Sequence, residues 1–285
     1  MPFICKTTTL DSQYFTFIEG VEKLGKLAAI IREELSHYIQ RYKLSALVLG
    51  ISGGIDSALC SALCRPVCEK NSIPLIGRSI TIETNTLTEI ERSIAVGHAF
   101  CHDFNHLNIT ETYYHNREML PKKDNTMLTR MRMGNMKARM RMILLYDLAQ
   151  LHKGIVISTD NYTEYLTGFW TLHGDVGDYA PILNLWKTEV YHLSTHLLPE
   201  CDEPQKSALQ SCIDATPVDG LGISQNDCEQ LQVENYFEAD RIFQSYFTGK
   251  EKGKYENHPL IQRFQNSVYK RLNPVSIPRK SIINY

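Results

Sequence analysis

The six residues from Ser52 to Ser57, with the sequence SGGIDS, combine two adjacent glycines, two hydroxyls and one carboxylate. Adjacent glycines let the backbone turn tightly and present N–H groups to an anion, and the two serines add hydroxyl donors. A helix that starts directly after the glycines adds its positive end. The segment therefore predicts a phosphate-binding loop.

Asp56 decides which phosphate chemistry suits this loop. A Walker A loop has a lysine at the comparable place, and that lysine reaches the β- and γ-phosphates. A carboxylate beside polyphosphate is repulsive unless a divalent cation lies between them, and Mg²⁺ commonly bridges carboxylates and phosphates. We therefore predict that the loop holds magnesium pyrophosphate, which suits cleavage at the α-phosphate of ATP. The alternative is an ordinary strand–turn–helix corner with Asp56 as a first-turn acid.

The loop follows a short, continuously apolar run at 45–50, which is typical of a strand buried on both faces of a parallel sheet. Further strands are predicted at 73–80, 104–107 and 154–158, and helices at 17–41, 55–70, 88–101, 110–151 and 187–198. Strands that alternate with helices predict a doubly wound α/β fold, with a mostly parallel sheet and helices on both faces.

Ligands of such folds bind beyond the carboxyl ends of the strands. The loop at 50–57 and the polar segment at 158–164 both fall at that edge. Glu164 can therefore reach the same edge as Asp56, and two converging carboxylates could share Mg²⁺. The alternative for Glu164 is an acid at a helix N-terminus.

Several segments together resemble the synthetase domain of the NAD synthetases, which belong to the N-type ATP pyrophosphatases with an adenine nucleotide α-hydrolase-like fold. They are the SGGIDS loop, GNMKARMRM at 134–142, STDNYTE at 158–164, TGFWTLHGD at 167–175 and a helix led by Lys187. The resemblance covers 47 to about 198. It implies ATP-dependent amidation of deamido-NAD to NAD by ammonia, through an acyl-adenylate, with release of AMP and pyrophosphate.

The resemblance also implies roles for individual residues. Asp56 and Glu164 are the implied ligands of Mg²⁺. The residues implied for ATP are Gly50, Ser52, Gly53, Gly54, Ile55, Asp56, Ser57, Thr159 and Lys187. Those implied for the dinucleotide substrate are Arg139, Asp175, Asp178, Tyr269 and Lys270. No side-chain nucleophile is required, and none is assigned. A surface lysine at 187 and a solvated basic face around 139 are the alternatives.

The chain departs from the family pattern in three places. Leu172 stands where the family has a lysine, Val218 stands where it has an ATP-binding threonine, and the loop after Gly174 is one residue shorter. The change at Leu172 could alter dinucleotide binding, and a protein can keep the phosphate loop without catalysis, although retention of Asp56 and Glu164 argues against this, so two alternatives stay open. One is a related ligase that acts on nicotinate mononucleotide, and the other is a catalytically inactive nucleotide-binding regulator.

The stretch 127–142 holds six of the eight methionines, interleaved with basic residues. Met133, Met136 and Met140 fall on one face of the predicted helix. Such a stripe is more often core than cofactor site. The resemblance adds a third interpretation, a homodimer interface with the substrate lying across it.

The composition fits a globular protein, for which we predict a single domain over 1–285 with a helix at about 17–41 and a basic arm at about 249–285. That arm is either solvated or an ordered lid that brings cations to a phosphate-rich ligand. The net charge of −2 favours neither nucleic acid nor membrane as a partner. Since no amidase domain fits before Leu47, free ammonia is the expected nitrogen donor.

The eight cysteines have irregular spacings and form no C-x2-C pair, which argues against a cysteine metal site. No signal-like segment and no apolar run of bilayer length occurs, so a cytoplasmic protein with reduced thiols is expected. Cys60, Cys64 and Cys68 are spaced by four and are predicted to be small buried apolar side chains on one helix face.

Overall fold

The computed structural model describes residues 15–121, 126–175, 177–216 and 227–283. The first half contains α1 (Val21–Tyr42), β1 (Leu47–Gly50), α2 (Ile55–Lys70), β2 (Leu75–Thr81), α3 (Leu87–Phe100), β3 (Asp103–Asn108), α4 (Thr110–Glu118) and α5 (Met127–Leu151). The second half contains β4 (Ile155–Ile157), α6 (Tyr162–Thr167), α7 (Lys187–Leu197), α8 (Glu203–Ile213), α9 (Asp227–Leu231), α10 (Tyr236–Thr248), α11 (Lys252–Tyr255), α12 (Pro259–Asn266), α13 (Val268–Arg271) and α14 (Arg279–Ile283).

The four strands form one parallel sheet in the order β3-β2-β1-β4. The central strand β1 pairs with β2 on one side, where Leu47 lies opposite Leu75, and with β4 on the other, where Leu47 lies opposite Ile155. The side chains of β1 from Leu47 to Leu49 are fully buried, as the apolar run predicts for a strand covered on both faces. The carboxyl ends of β1, β2 and β4 therefore meet at one edge.

Helices cover both faces of this sheet. On one face the core joins α1, α2, α3, α7 and α8 to the side chains of Leu47, Leu49 and Leu75. On the other face α5 packs on Val48, Ile76 and Val156. The prediction of a doubly wound α/β fold with helices on both faces is confirmed. Cys60, Cys64 and Cys68 of α2 are fully buried in the first core, as predicted, and their thiols are free.

A second, aromatic core lies among α6, α10 and α12. Phe243 stacks on Phe247 with ring centroids 5.9 Å apart, and both rings meet Phe264 edge to face. The segment predicted as a basic arm thus begins with packed helices, in which Leu260 and Ile261 of α12 are fully buried. Its last part, residues 273–283, is exposed. The prediction of a single domain stays a prediction.

The element bounds differ from the predicted ones in two places. The helical region predicted at 110–151 contains two helices, α4 and α5. Pro121 follows α4 closely, and a helix does not readily continue to a proline because the residue before it disfavours helical geometry. The polar segment 158–164 contains the start of α6, which begins with a capping box of Asn161 and Glu164. A helix of six residues is too short for apolar periodicity to reveal it. Among the described helices, none is both long and apolar enough to cross a bilayer.

Candidate active site

A cavity of about 650 Å³ opens at the carboxyl edge of the sheet. The ends of β1, β2 and β4 form its floor, and residues of α3, α5, α6 and α7 form its walls. The predicted site residues that line it are Gly50, Ser52, Gly53, Gly54, Ile55, Asp56, Thr159, Glu164, Asp175, Lys187 and Lys270. Residues from distant parts of the sequence therefore meet at one concave surface, where ligands of such sheets bind.

The SGGIDS segment forms a tight, internally bonded turn between β1 and α2. Gly53 has φ of 81°, a conformation that favours glycine, and a β-carbon there would lie 2.6 Å from the carbonyl oxygen of Glu89. The Ser57 hydroxyl donates to the Gly54 carbonyl at 3.0 Å and lies 3.1 Å from the Ser52 hydroxyl. Ser57 is itself buried, so it supports the loop from behind. The N-terminus of α2 follows at Ile55 without a side-chain cap, as an anion site requires.

Lys187 lies between the two carboxylates that the sequence predicted to converge. Its Nζ contacts Asp56 Oδ2 and lies 3.2 Å from Glu164 Oε1. The Lys187 side chain is only 3% exposed, and Asn161 Nδ2 donates to the other Asp56 oxygen at 2.9 Å. Burial alone would lower the pKa of Lys187, but the charges of Asp56 and Glu164 outweigh it and the pKa is raised. The lysine is therefore a permanent cation at neutral pH.

A buried carboxylate, Asp240 of α10, fixes the helix end that carries Lys187. It accepts hydrogen bonds from the Thr163 hydroxyl at 2.5 Å and from the Thr188 backbone N–H at 2.8 Å. The Thr163 hydroxyl oxygen in turn accepts the Lys187 backbone N–H at 3.0 Å. Burial raises the pKa of Asp240 to about 6, although hydrogen bonds from Thr163 and Thr188 oppose the rise. The sequence analysis missed Asp240 because it belongs to no motif.

The donor set suits a hard divalent cation shared with a ligand. Asp56 and Glu164 direct oxygens at one positive charge, the ammonium of Lys187. Among the described residues, no group of three or more His, Cys, Asp and Glu side chains could hold a metal. Two carboxylates are enough for Mg²⁺, which keeps several waters and binds substrate phosphates. Glu164 is also the third residue of α6, so the alternative of an acid at a helix N-terminus describes the structure, while its role as a metal ligand stays a prediction.

Two of the predicted substrate residues face the same cavity. Asp175 accepts the Thr171 backbone N–H at 2.7 Å, and burial raises its pKa. Lys270 Nζ donates to the carbonyls of Gly168 and Trp170 at 2.7 and 2.5 Å, and burial lowers its pKa. These two side chains therefore bring an acidic and a basic group to the lining of the cavity.

The other three predicted substrate residues lie elsewhere. Arg139 lines a groove of about 640 Å³ between α4 and α5 and donates to the Leu172 carbonyl at 3.1 Å. Asp178 accepts the Val156 backbone N–H at 2.9 Å and so holds the loop to β4. Tyr269 is 60% exposed. The structure of one chain does not bring these three into the cavity. Val218 lies outside the described residues.

Several cavity residues were not predicted. Asp160 lines the cavity beside Glu164 and Asp175, and burial together with these carboxylates raises its pKa well above its ordinary value. Its position directly after β4 could have indicated it, since side chains at that edge face the ligand. Arg141 and Arg92 also line the cavity. Arg141 belongs to the GNMKARMRM segment, in which only Arg139 was given a role, whereas Arg92 lies inside α3, where no motif marks it.

Fold and site together define an adenine nucleotide α-hydrolase-like protein, in which a parallel α/β sheet carries a phosphate loop at its carboxyl edge. The family model of NAD synthase matches residues 27–274. The NH(3)-dependent NAD(+) synthetase of Methanococcoides burtonii is 31% identical over 242 residues, which are 81% of this chain and 86% of that protein. The chain belongs to the NAD synthase family, as the sequence analysis predicted.

Solved structures show the same fold. The NMN synthetase of Francisella tularensis superposes with a TM-score of 0.73 at 24% identity, covering 90% of this chain and 98% of that one. The NH3-dependent NAD synthetase of Campylobacter jejuni superposes with a TM-score of 0.68 at 22% identity, covering 90% and 99%. Both likenesses extend over nearly the whole chain, including the sheet and the helices around the cavity.

Proposed function

We propose that this protein catalyses the ATP-dependent amidation of deamido-NAD to NAD, with ammonia as nitrogen donor and AMP and pyrophosphate as further products. The observation that carries the proposal is the convergence of Asp56, Glu164 and Lys187 beside a lysine-free phosphate loop. A loop with a carboxylate in place of the Walker lysine suits a substrate whose phosphates arrive with a divalent cation. Membership of the NAD synthase family supports the same chemistry.

The protein's contribution is positioning and charge stabilisation. Backbone amides of the loop and the N-terminus of α2 orient the β- and γ-phosphates, so that the substrate carboxylate attacks the α-phosphate and pyrophosphate leaves. Asp56 and Glu164 would hold Mg²⁺, which when bound supplies charge neutralisation at the phosphates. Lys187 is charged at neutral pH, so it acts as a fixed cation for negative charge at the α-phosphate rather than as a base.

Ammonia then attacks the activated carbonyl, and AMP leaves. The NH(3)-dependent enzymes named among the relatives support ammonia as the donor. Asp160 and Asp175, whose pKa values burial raises, line the same cavity. No covalent intermediate with the protein is required, in keeping with the absence of an assigned nucleophile.

A second candidate substrate is nicotinate mononucleotide. The observation that favours it is Leu172, which puts an apolar side chain where a lysine was expected, while its carbonyl binds Arg139. The leucine removes one positive charge from the expected substrate residues, and the bond to the Leu172 carbonyl occupies two N–H donors of Arg139. One structural neighbour is named as an NMN synthetase, and the same reaction chemistry would serve the shorter substrate.

A coupled assay decides between these substrates. ATP, Mg²⁺ and ammonium would be incubated with deamido-NAD or with nicotinate mononucleotide, and AMP and the amidated product would be measured. We expect AMP and NAD from the dinucleotide. Activity with the mononucleotide alone would overturn the substrate assignment, and ADP in place of AMP would overturn the mechanism.

The Asp56→Asn variant tests the metal and phosphate assignment in the same assay. We expect turnover to fall by at least about 100-fold, because the variant removes a carboxylate ligand of the Mg²⁺ that would neutralise the reacting phosphates. Glu33→Gln is the control, since Glu33 is an exposed carboxylate of α1 and its loss should leave turnover unchanged. Full activity of Asp56→Asn would refute the role of this carboxylate, and activity of the wild type without Mg²⁺ would refute the metal.

A further inference from the structure

We infer that Arg92 binds the pyrophosphate half of ATP and, through a second contact, holds the phosphate loop in its binding conformation. The inference rests on the proposed function and extends it to a residue that no motif of the sequence indicates. Arg92 lies in the middle of α3, on the wall of the cavity that faces the SGGIDS loop.

The loop and α3 are in direct backbone contact. A β-carbon at Gly53 would lie 2.6 Å from the Glu89 carbonyl oxygen and 2.9 Å from the Ser93 nitrogen, so the loop rests against one turn of α3. At this point Arg92 Nε donates to the Gly53 carbonyl at 3.1 Å. The Cys212 thiol of α8 also meets that carbonyl, at 3.4 Å. The Gly53 carbonyl is therefore held by α3 and α8, and this fixes the turn of the loop.

The remainder of the Arg92 guanidinium is available. Guanidinium carries five N–H donors, and the bond to Gly53 uses one of them. Within the part of the chain that the structure describes, the Nη atoms of Arg92 form no hydrogen bond and no carboxylate forms an ion pair with it. Two acids precede Arg92 in α3. Glu91 is adjacent and exposed, and neighbouring residues of a helix do not face each other. Glu89, three residues earlier, is engaged with Thr86, whose backbone N–H and hydroxyl donate to it at 2.7 and 2.8 Å.

The negative charge of pyrophosphate calls for a cationic side chain beside the loop. Six cationic side chains line the cavity, namely Arg78, Arg92, Arg141, Lys187, Arg263 and Lys270. Two of them contact the phosphate loop, Lys187 through Asp56 and Arg92 through Gly53. The charge of Lys187 is offset by two carboxylates, whereas no carboxylate among the described residues forms an ion pair with Arg92. A planar guanidinium beside the loop can bind two phosphate oxygens at once, and this is the geometry that arginine offers to phosphate.

Binding of pyrophosphate and of AMP, each with Mg²⁺, tests the inference by calorimetric titration. Arg92→Gln keeps a side-chain donor near Gly53 but removes the charge, and Arg92→Lys keeps the charge. We expect Arg92→Gln to weaken pyrophosphate binding about 10- to 100-fold, as for loss of a charge-assisted hydrogen bond, with AMP binding unchanged. Arg92→Lys should recover most of the pyrophosphate affinity. Arg241→Gln, an exposed arginine of α10, is the matched control.

A purely structural role would give a different pattern. Loss of the Gly53 contact alone would weaken pyrophosphate binding equally in Arg92→Gln and Arg92→Lys, or would weaken AMP binding as much, and either result overturns the inference. A wild type that binds no pyrophosphate overturns it as well. If the wild type binds pyrophosphate but forms no AMP with either nicotinate substrate, the proposed function fails while the titrations still decide the role of Arg92.

Discussion

At the scale of single residues, Lys187 supplies the counter-charge of Asp56 and Glu164. Its ammonium is nearly buried between Asp56 and Glu164, whose side chains are 16% and 15% exposed. A buried charge without a partner is costly, so each member of this group depends on the others. The ammonium lies where a divalent cation would meet the same two carboxylates.

Lys187→Met should therefore destabilise the protein as well as inactivate it. We expect the free energy of unfolding to fall by about 3 kcal/mol, because two partly buried carboxylates lose their counter-charge. Urea denaturation measures this change. Lys26→Met is the matched control, because Lys26 forms an exposed ion pair with Glu22 and its loss should cost about 0.5 kcal/mol or less.

Millimolar Mg²⁺ distinguishes this explanation from a simple packing defect. We expect Mg²⁺ to restore more stability to Lys187→Met than it adds to the wild type, since the metal would neutralise the same carboxylates. An equal effect of Mg²⁺ on both proteins would mean that Asp56 and Glu164 do not form a cation site.

At the scale of elements, the phosphate loop is shaped by its contact with α3 as much as by its own sequence. Gly53 and Gly20 both have positive φ, at 81° and 90°, but a β-carbon at Gly20 would meet nothing within 4 Å. Gly53→Ala and Gly20→Ala therefore impose the same kind of backbone strain, about 1–2 kcal/mol. Only Gly53→Ala adds a steric conflict with Glu89 and Ser93.

We expect Gly53→Ala to be less stable than Gly20→Ala by about 1–3 kcal/mol, as for other overpacked contacts, and to raise the KM for ATP. Thermal unfolding and steady-state kinetics measure the two effects. Equal stability of the two variants would show that the loop moves away from α3 without cost.

Two buried carboxyl groups bind the N-terminal end of α7, those of Asp240 and Glu189, and their titration should make the stability of the protein fall as the pH rises. Burial raises the pKa of Asp240 to about 6 and that of Glu189 to about 7, although hydrogen bonds from Thr163 to Asp240 and from Ile18 and Trp186 to Glu189 oppose the rise. In the unfolded chain both carboxyls titrate near pH 4. As the pH rises from about 4 to 7, the unfolded state loses these protons first, so the folded state binds more protons and its stability falls.

Asp240→Asn should flatten this dependence, since an amide stays neutral at every pH. We expect the stability of Asp240→Asn relative to the wild type to improve as the pH rises from about 4 to 6, measured by urea denaturation in a pH series. Glu33→Gln, at an exposed position of α1, should show no such trend. Parallel curves for Asp240→Asn and the wild type would contradict the raised pKa.

These elements show where prediction from sequence succeeds. The strand before the loop is predictable because Leu47, Val48 and Leu49 are apolar on both faces of a buried strand. Asp56 and Glu164 are predictable because each follows a strand of the same sheet. Asp240 and Arg92 are not, because their function comes from packing across 52 and 39 residues of separation, which no local pattern encodes.

At the scale of the whole molecule, the sheet explains which predicted residues meet. Asp175 follows β4 and reaches the cavity with the loop, as the edge rule predicts. Arg139 lies on the other side of α5 and faces the groove instead. The resemblance assigns Asp175 and Arg139 to the same substrate, whereas in one folded chain Asp175 lines the cavity and Arg139 lines the groove. The difference is explained if the substrate extends across a boundary between two chains.

The outer face of α5 is suited to such a boundary. Leu128, Ile143 and Leu151 are 60%, 59% and 72% exposed, and the adjoining groove contains Met136 and Met140. Exposed apolar side chains along one helix face commonly mark an interface. Because homodimers use one surface twice, Arg139 of each chain would lie at the shared surface.

Sedimentation should therefore show a wild-type particle of two chains, each of 32.7 kDa, and Ile143→Arg should shift it to one chain. Val275→Arg is the matched control, since Val275 is 79% exposed in the C-terminal segment. Ile143 lies one turn from Arg139. If the substrate lies across the interface, Ile143→Arg should raise the KM for the nicotinate substrate and leave the KM for ATP unchanged. A wild type that sediments as one chain at catalytic concentrations would contradict the dimer, and an unchanged KM in a monomeric Ile143→Arg would remove Arg139 from the substrate site.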